Sequence, residues 1–81
     1  MPTLPNVRLI NWYMFTAART NRTYNSDGSI EYEAAHRQAG VSDSDVEWWI
    51  SKYVYDTSGN CIKEELLQGA WSNRASLSWS I

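Results

Sequence analysis

Large aromatic side chains dominate this short chain: five Trp and five Tyr occur among its 81 residues, with only one cysteine. A chain of this length buries roughly 60% of the surface that its unfolded form exposes, so its core confers little stability. The single cysteine, Cys61, excludes an internal disulfide. Two other sources of stability remain for such a chain, namely dense aromatic packing and association with a partner. Because each large aromatic buries about 150–250 Å², we expect part of this surface to contact another protein.

Composition and charge narrow the class of protein. Hydrophobic residues make up 43% of the chain and charged residues 20%, which is typical of a globular protein, and we expect residues 1–81 to form a single domain. The net charge of −2 and the scattered basic residues make nucleic acid an unexpected partner. No apolar run approaches the roughly 18 residues of a membrane-spanning helix, so we expect no membrane contact.

The apolar run at 9–18 loosely resembles a secretory signal, since it follows Arg8 and ends in small residues. The polar Asn11 and three aromatic side chains inside the run fit that interpretation poorly. We therefore expect a protein that is not secreted by a cleaved signal peptide and that acts in a host cytoplasm or within a virion. The lone Cys61 agrees with a reducing compartment.

The first half of the chain predicts strands. Residues 7–19 are almost continuously apolar and rich in aromatics, which favours a strand covered on both faces, although their number also allows a helix. Asp27-Gly28 then signals a hairpin turn. Residues 30–34 alternate between apolar and acidic side chains, which predicts a half-exposed strand. Its inward side would carry Ile30, Tyr32 and Ala34.

Residues 43–55 satisfy two patterns at once. Ser44 and Glu47 form a capping box, and apolar residues follow at helical spacing. Strand-forming residues nevertheless dominate 46–55, and they lead through a turn at 56–60 into a further strand, as in a hairpin. We favour the strand, with a short helix allowed near residue 44.

Both ends of the chain are expected to be extended. Pro2 and Pro5 exclude a helix from residues 1–6 and predict an extended N-terminal arm. Residues 75–81 alternate strictly between apolar side chains and serine, which predicts a C-terminal strand at a sheet edge. An edge strand of this kind can pair with a partner protein.

Together these elements predict a mainly β fold: a small antiparallel meander of about five strands, sandwich-like or barrel-like. The alternative is an α+β fold in which a helix at 43–55 packs on a four-stranded sheet. The two interpretations differ only in how the ambiguous segment folds.

The sequence gives little support for nucleophilic or acid–base catalysis. Cys61 and His36 would form a nucleophilic pair only if the fold joined them, and no third activating residue is evident. Glu31 and Glu33 lie two residues apart on one strand face, which we interpret as a solvated surface. We therefore predict no catalytic residues and no enzymatic activity.

The sequence also gives little support for metal or cofactor binding. The sequence Asp43-x-Asp45-x-Glu47 begins like a calcium loop, but Trp48 occupies the position that requires glycine. The four glycines are isolated, so no phosphate-binding loop is present. We predict no metal site and no cofactor.

The aromatic excess favours a non-catalytic structural or assembly protein that acts through protein–protein contacts, by strand pairing and aromatic anchoring. A small viral protein, such as a phage virion or accessory component, fits this style of sequence. Its partners would be copies of itself or a larger assembly. The candidate interface residues are Pro2, Pro5, Trp71, Leu77, Trp79 and Ile81.

Two alternatives remain open. The first is a small inhibitor or adaptor that blocks a host enzyme or defence complex. The second is a ligand-binding or single-stranded-nucleic-acid-binding module, in which exposed aromatics form a stacking platform. The sequence does not rank the candidates for such a platform, which are Trp12, Tyr13, Trp48 or Trp49, Trp71 and Trp79.

Overall fold

The computed structural model describes residues 9–81, except for the side chain of Phe15. Helix α1 (Asn11–Thr16) precedes four strands, and a 3₁₀ helix follows them at Trp71–Ser76. The strands are β1 (Arg19–Tyr24), β2 (Ile30–His36), β3 (Trp48–Tyr55) and β4 (Cys61–Gly69). Each strand pairs antiparallel with the next, in the order β1-β2-β3-β4. The predicted N-terminal arm at 1–6, with Pro2 and Pro5, lies outside the described residues.

The mainly β, antiparallel meander is confirmed, but within residues 9–81 the sheet has four strands and is open. Strands β1 and β4 lie at its two edges, so these residues do not form the expected sandwich or barrel. The four-stranded sheet of the α+β alternative is present too. Its helix, however, lies at Asn11–Thr16 rather than at 43–55.

The two hairpins lie where the sequence predicts them. Gly28 and Gly59 have φ angles of 90° and 86°, a region that glycine enters without steric strain. At the second turn, the backbone N–H groups of Ser58 and Asn60 both donate to Asp56 Oδ1 at 2.9 Å. Local turn chemistry therefore sets the positions of both turns.

Strand β3 settles the ambiguous segment in favour of the strand. Residues 43–47 form turns and no short helix near residue 44. The structure covers both faces of β3: Trp48 and Ile50 are buried on one face, and Ser51 and Tyr53 on the other. A strand buried on both faces explains why the segment has no polar–apolar alternation.

Strand β2 is confirmed but is more deeply buried than predicted. Ile30, Tyr32 and Ala34 are buried as expected. Glu33 and Ala35 are buried as well, with exposed fractions of 0% and 1%. The prediction of a half-exposed strand is therefore wrong, because the second face of the sheet is also covered.

The strand favoured at 7–19 is wrong for residues 9–18, where the helix that the segment's length also allows is found instead. Residues 11–16 form α1 and residues 19–24 form β1. Ile10 is fully buried, and Tyr13, Met14 and Ala17 are half-buried, at the spacing of one helical face. Asn11, Trp12 and Thr16 are exposed, so the described side chains leave one buried face, as in a helix.

The strand predicted at 75–81 is also wrong. The 3₁₀ helix extends to Ser76, and residues 77–81 have no regular secondary structure. The N–H of Trp79 donates to the carbonyl of Leu77 at 2.8 Å, and the N–H of Ser80 donates to the Glu65 carboxylate at 2.7 Å, so neither forms a backbone bond to a neighbouring strand. The alternation does predict burial, because Leu77 and Trp79 pack against the core while Ser76, Ser78 and Ser80 are exposed. The tail thus crosses a face of the sheet instead of extending its edge.

The sheet therefore has two covered faces. We call the first the core face. It carries Tyr32, Ala34, Trp48 and Ile50, and it is covered by Val41, Trp71 and the C-terminal tail. The opposite face carries Ala35, Trp49 and Tyr53 by the alternation of strands β2 and β3. Helix α1 packs on this opposite face through Tyr13. We call this face of the sheet the helix face.

Candidate binding cleft

A cleft of about 370 Å³ opens on the helix face, at the end of the sheet where β2 ends and β3 begins. Its volume lies at the lower end of the range of ligand pockets, about 300–1,000 Å³. Helix α1 forms one wall and the sheet forms the other. The lining residues are Trp12, Tyr13, Thr16, Ala35, His36, Arg37, Gln38, Glu47, Trp49 and Gln68.

Three aromatic rings form the apolar wall of the cleft. The Tyr13 ring stacks on the Trp49 ring, with centroids 4.6 Å apart and planes 21° apart. Trp12 meets Tyr13 edge to face, with centroids 5.5 Å apart and planes 82° apart. The stack joins α1 to β3, so it positions the helix on the sheet.

Of the large apolar side chains that the structure describes, Trp12 is the most exposed, with 70% of its surface accessible to solvent. Successive residues of a helix point about 100° apart, so the orientation that turns Tyr13 towards Trp49 turns Trp12 outward. Leu9, one turn earlier, is 53% exposed. Leu9 and Trp12 are thus two exposed apolar side chains at the start of the helix, of which Trp12 lines the cleft, and we call the two together the α1 patch.

The rim of the cleft is polar. Arg37 and Gln38 follow β2, Glu47 precedes β3, and Gln68 lies near the end of β4; all four are exposed. The side chains of Arg37 and Glu47 form no ion pair or hydrogen bond within the described residues. One cation and one anion therefore stand free of such bonds within this part of the chain, at the mouth of an aromatic cleft.

His36, Asp45 and Glu47 bring three ligand-type atoms within 4.8 Å of one another behind the rim. His36 Nδ1 accepts the N–H of Gln38 at 3.0 Å, which leaves the ring proton on Nε2, and Nε2 donates to Asp45 Oδ1 at 3.1 Å. A metal ion at Nε2 would have to displace that proton. His36 and Asp45 are therefore bonded to each other and to the backbone, which fits a hydrogen-bonded pair better than a metal site.

Asp45 holds this cluster together. Its Oδ1 accepts the backbone N–H of Glu47 at 2.8 Å in addition to the His36 proton. These two bonds, the Glu47 bond first, lower the pKa of Asp45 below its usual range. The ionised Asp45 thereby fixes the loop that presents Glu47 at the rim.

Glu33 on β2 is a buried carboxylate on the helix face and corrects the prediction of a solvated acidic surface. Its Oε2 accepts from Arg22 Nε at 2.6 Å, and its Oε1 accepts from the Tyr53 hydroxyl at 3.0 Å. Burial, with Glu33 as a second cause, raises the pKa of Tyr53. Glu33 does not line the cleft, and its bonds tie three strand segments together.

The predicted interface residues of the C-terminal segment lie elsewhere and are engaged within the chain. Trp71 is 7% exposed, and Leu77 and Trp79 pack on the core face. The Trp79 indole N–H donates to the carbonyl of Arg74 at 2.7 Å. Ile81 is half-buried. The predicted residues Pro2 and Pro5 lie outside the described part of the chain.

The nucleophilic pair considered above does not form. His36 lies beside the start of β3, whereas Cys61 pairs with Tyr55 at its other end. An eight-residue strand spans about 25 Å, so the two side chains lie at opposite ends of the sheet. Burial raises the pKa of the Cys61 thiol, which disfavours the reactive thiolate.

The cleft unites three of the aromatics that the sequence leaves unranked, namely Trp12, Tyr13 and Trp49. The signal that would have selected them is the helical spacing of Ile10, Tyr13 and Met14, which turns Leu9 and Trp12 outward. The polar rim carries no such signal, because its residues come from three separate strand ends.

Two further findings bear on the chain as a whole. Among residues 9–81, no helix is long and apolar enough to cross a membrane. Comparison with known proteins yields no match, whether with family models, curated proteins or solved structures.

Proposed function

We propose that this chain is a non-catalytic assembly protein that acts through protein–protein contacts, and that its contact surface is the α1 patch together with the cleft. The observation that carries the proposal is the exposure of Leu9 and of Trp12, which lines an open aromatic cleft. Trp is enriched among the residues that dominate the energy of protein interfaces.

The energetics support this assignment. Burying the exposed part of a Trp side chain in a partner contributes on the order of 2–4 kcal/mol. In the isolated chain this side chain packs edge to face on Tyr13, but most of its surface remains in water. A partner therefore accounts for apolar surface that the fold itself leaves exposed.

The polar groups around the cleft support binding rather than catalysis. His36 uses both ring nitrogens in hydrogen bonds within the chain, and Asp45 accepts two bonds. The groups left at the rim, Arg37, Gln38, Glu47 and Gln68, are exposed. Exposed polar groups around an apolar centre are the usual arrangement of a protein interface.

The proposal is tested by a photo-reactive phenylalanine analogue at position 12, in the cells that naturally make the protein. We expect covalent protein adducts after irradiation. The matched control carries the analogue at Ile62, which is also exposed but lies at the opposite end of the sheet. Equal adducts at both positions, or none at position 12, would contradict the proposal.

A further inference from the structure

We infer that the partner of the α1 patch is a second copy of this chain, related to the first by a twofold axis, with Trp12 of each copy seated in the cleft of the other. This inference rests on the proposed function and names its partner. It is carried by the juxtaposition of Trp12, the cleft and the rim charges on one surface.

The projecting side chain and the cavity lie next to each other. Trp12 borders the cleft and is still 70% exposed. In a twofold contact, one patch meets the same patch on the other copy, so an adjacent projection and cavity fill each other twice. The contact then closes after two copies and buries both α1 patches.

The rim charges have the same self-complementary property. Ala35 pairs with Trp49, and Arg37 and Glu47 lie two residues beyond this pair, on the cleft that both of them line. When a twofold rotation places a second copy of a neighbouring cation and anion on the first, each charge can face its opposite. The twofold contact therefore forms two ion pairs, each between Arg37 of one copy and Glu47 of the other.

The size of the surface indicates a weak dimer. The cleft residues and Leu9 amount to about half of the 20–30 residues that each side of a standard interface contributes. A standard interface would take about 800 Å² of the 5025 Å² that the chain exposes. We expect a dissociation constant on the order of 10 µM or weaker.

The experiment measures solution mass by light scattering over a hundredfold range of concentration centred on about 50 µM. The wild-type mass should rise from 9.3 kDa towards twice that value. Arg37→Glu and Glu47→Arg should each stay monomeric, because each homodimer would oppose like charges twice. An equimolar mixture of the two variants should dimerise, since both ion pairs then form. One pair is the native Arg37–Glu47 pair, and the other has its two charges exchanged. The double variant in one chain should dimerise as well.

Two controls keep the outcome specific. Lys63→Glu changes the charge as Arg37→Glu does, at an exposed position on β4, and should dimerise like the wild type. Trp12→Ala should stay monomeric with an unchanged circular dichroism spectrum. Monomers when the two charge variants are mixed, or dimers from each variant alone, would overturn the twofold pairing.

A wild-type chain that stays monomeric throughout would overturn the inference alone. The proposed function would still stand if position 12 formed adducts with a different protein. Absence of any adduct at position 12 would overturn both.

Discussion

The ring of Tyr13 lies on the ring of Trp49, with centroids 4.6 Å apart, and this stack joins α1 to the sheet. Trp49 follows Trp48, which points to the opposite face and is fully buried in the core. Two consecutive tryptophans thus serve different purposes: one fills the core, and the other holds the helix that forms a wall of the cleft.

The Tyr13–Trp49 stack predicts that Tyr13→Ala releases α1. We expect a loss of about 1–2 kcal/mol in unfolding free energy, since the substitution removes a half-buried ring and its stacking contact with Trp49. Urea denaturation measures the loss, and hydrogen exchange should rise in residues 11–16. Tyr24→Ala, at an exposed position on β1, should change neither quantity. Unaltered exchange in α1 would show that the stack does not hold the helix.

Trp79 distinguishes a core role of the C-terminal tail from an interface role. It packs against the core, and its indole N–H is bonded to Arg74, so Trp79→Ala should lower the unfolding free energy by about 2–3 kcal/mol. The exposed Ser78→Ala is the matched control. Full stability combined with a loss of association would instead restore the interface role that the sequence predicts for this residue.

Glu33 predicts a stability effect away from the cleft. Glu33→Gln removes the charge that Arg22 contacts and weakens the bond from Tyr53, and we expect a loss of about 1–3 kcal/mol in unfolding free energy. Glu31→Gln, on the same strand, should have a much smaller effect. A comparison of urea midpoints decides this, and equal midpoints would refute the structural role of the buried carboxylate.

Tyr55 predicts a change at alkaline pH. Its hydroxyl donates to the carbonyl of Ile30 at 2.9 Å, and burial raises its pKa from 10.0 to about 12. A raised folded-state pKa means that this stabilisation is complete below pH 10 and is lost as the pH rises through about 12. In a tyrosinate absorbance titration, Tyr55→Phe should remove a component near pH 12. Loss of a component near pH 10 instead would contradict the assignment.

The first hairpin predicts a strain effect that is independent of packing. A Cβ at Gly28 would meet no atom within 4 Å, but φ is 90° there. Gly28→Ala should therefore cost about 1–2 kcal/mol in unfolding free energy. At Gly40 a Cβ also meets nothing, and φ there is not positive, so Gly40→Ala should be neutral or slightly stabilising. Thermal denaturation of both variants tests whether backbone conformation alone makes the difference.

Much of the candidate site lay beyond prediction from the sequence. The sequence offers Trp12, Tyr13 and either Trp48 or Trp49 as candidates for a stacking platform, since neighbours in a strand face opposite sides, but it does not predict which of them lie together. The sequence does not indicate that Arg37, Gln38, Glu47 and Gln68 lie together at the rim of a cleft. Their proximity depends on strand register, which no local pattern of these residues expresses.

The sequence by itself determined the features that depend on neighbouring residues. Both glycine turns and strands β2 to β4 follow from turn chemistry and from strand-forming residues. The tertiary structure decided whether residues 11–16 form a helix and how the tail at 77–81 lies. An apolar run takes the conformation that buries it best, and an alternating segment becomes a strand only where a sheet edge offers its backbone hydrogen bonds. In this protein the two segments pack on the faces of the sheet instead of pairing with its edges. The cleft lies where one of them, α1, contacts Trp49.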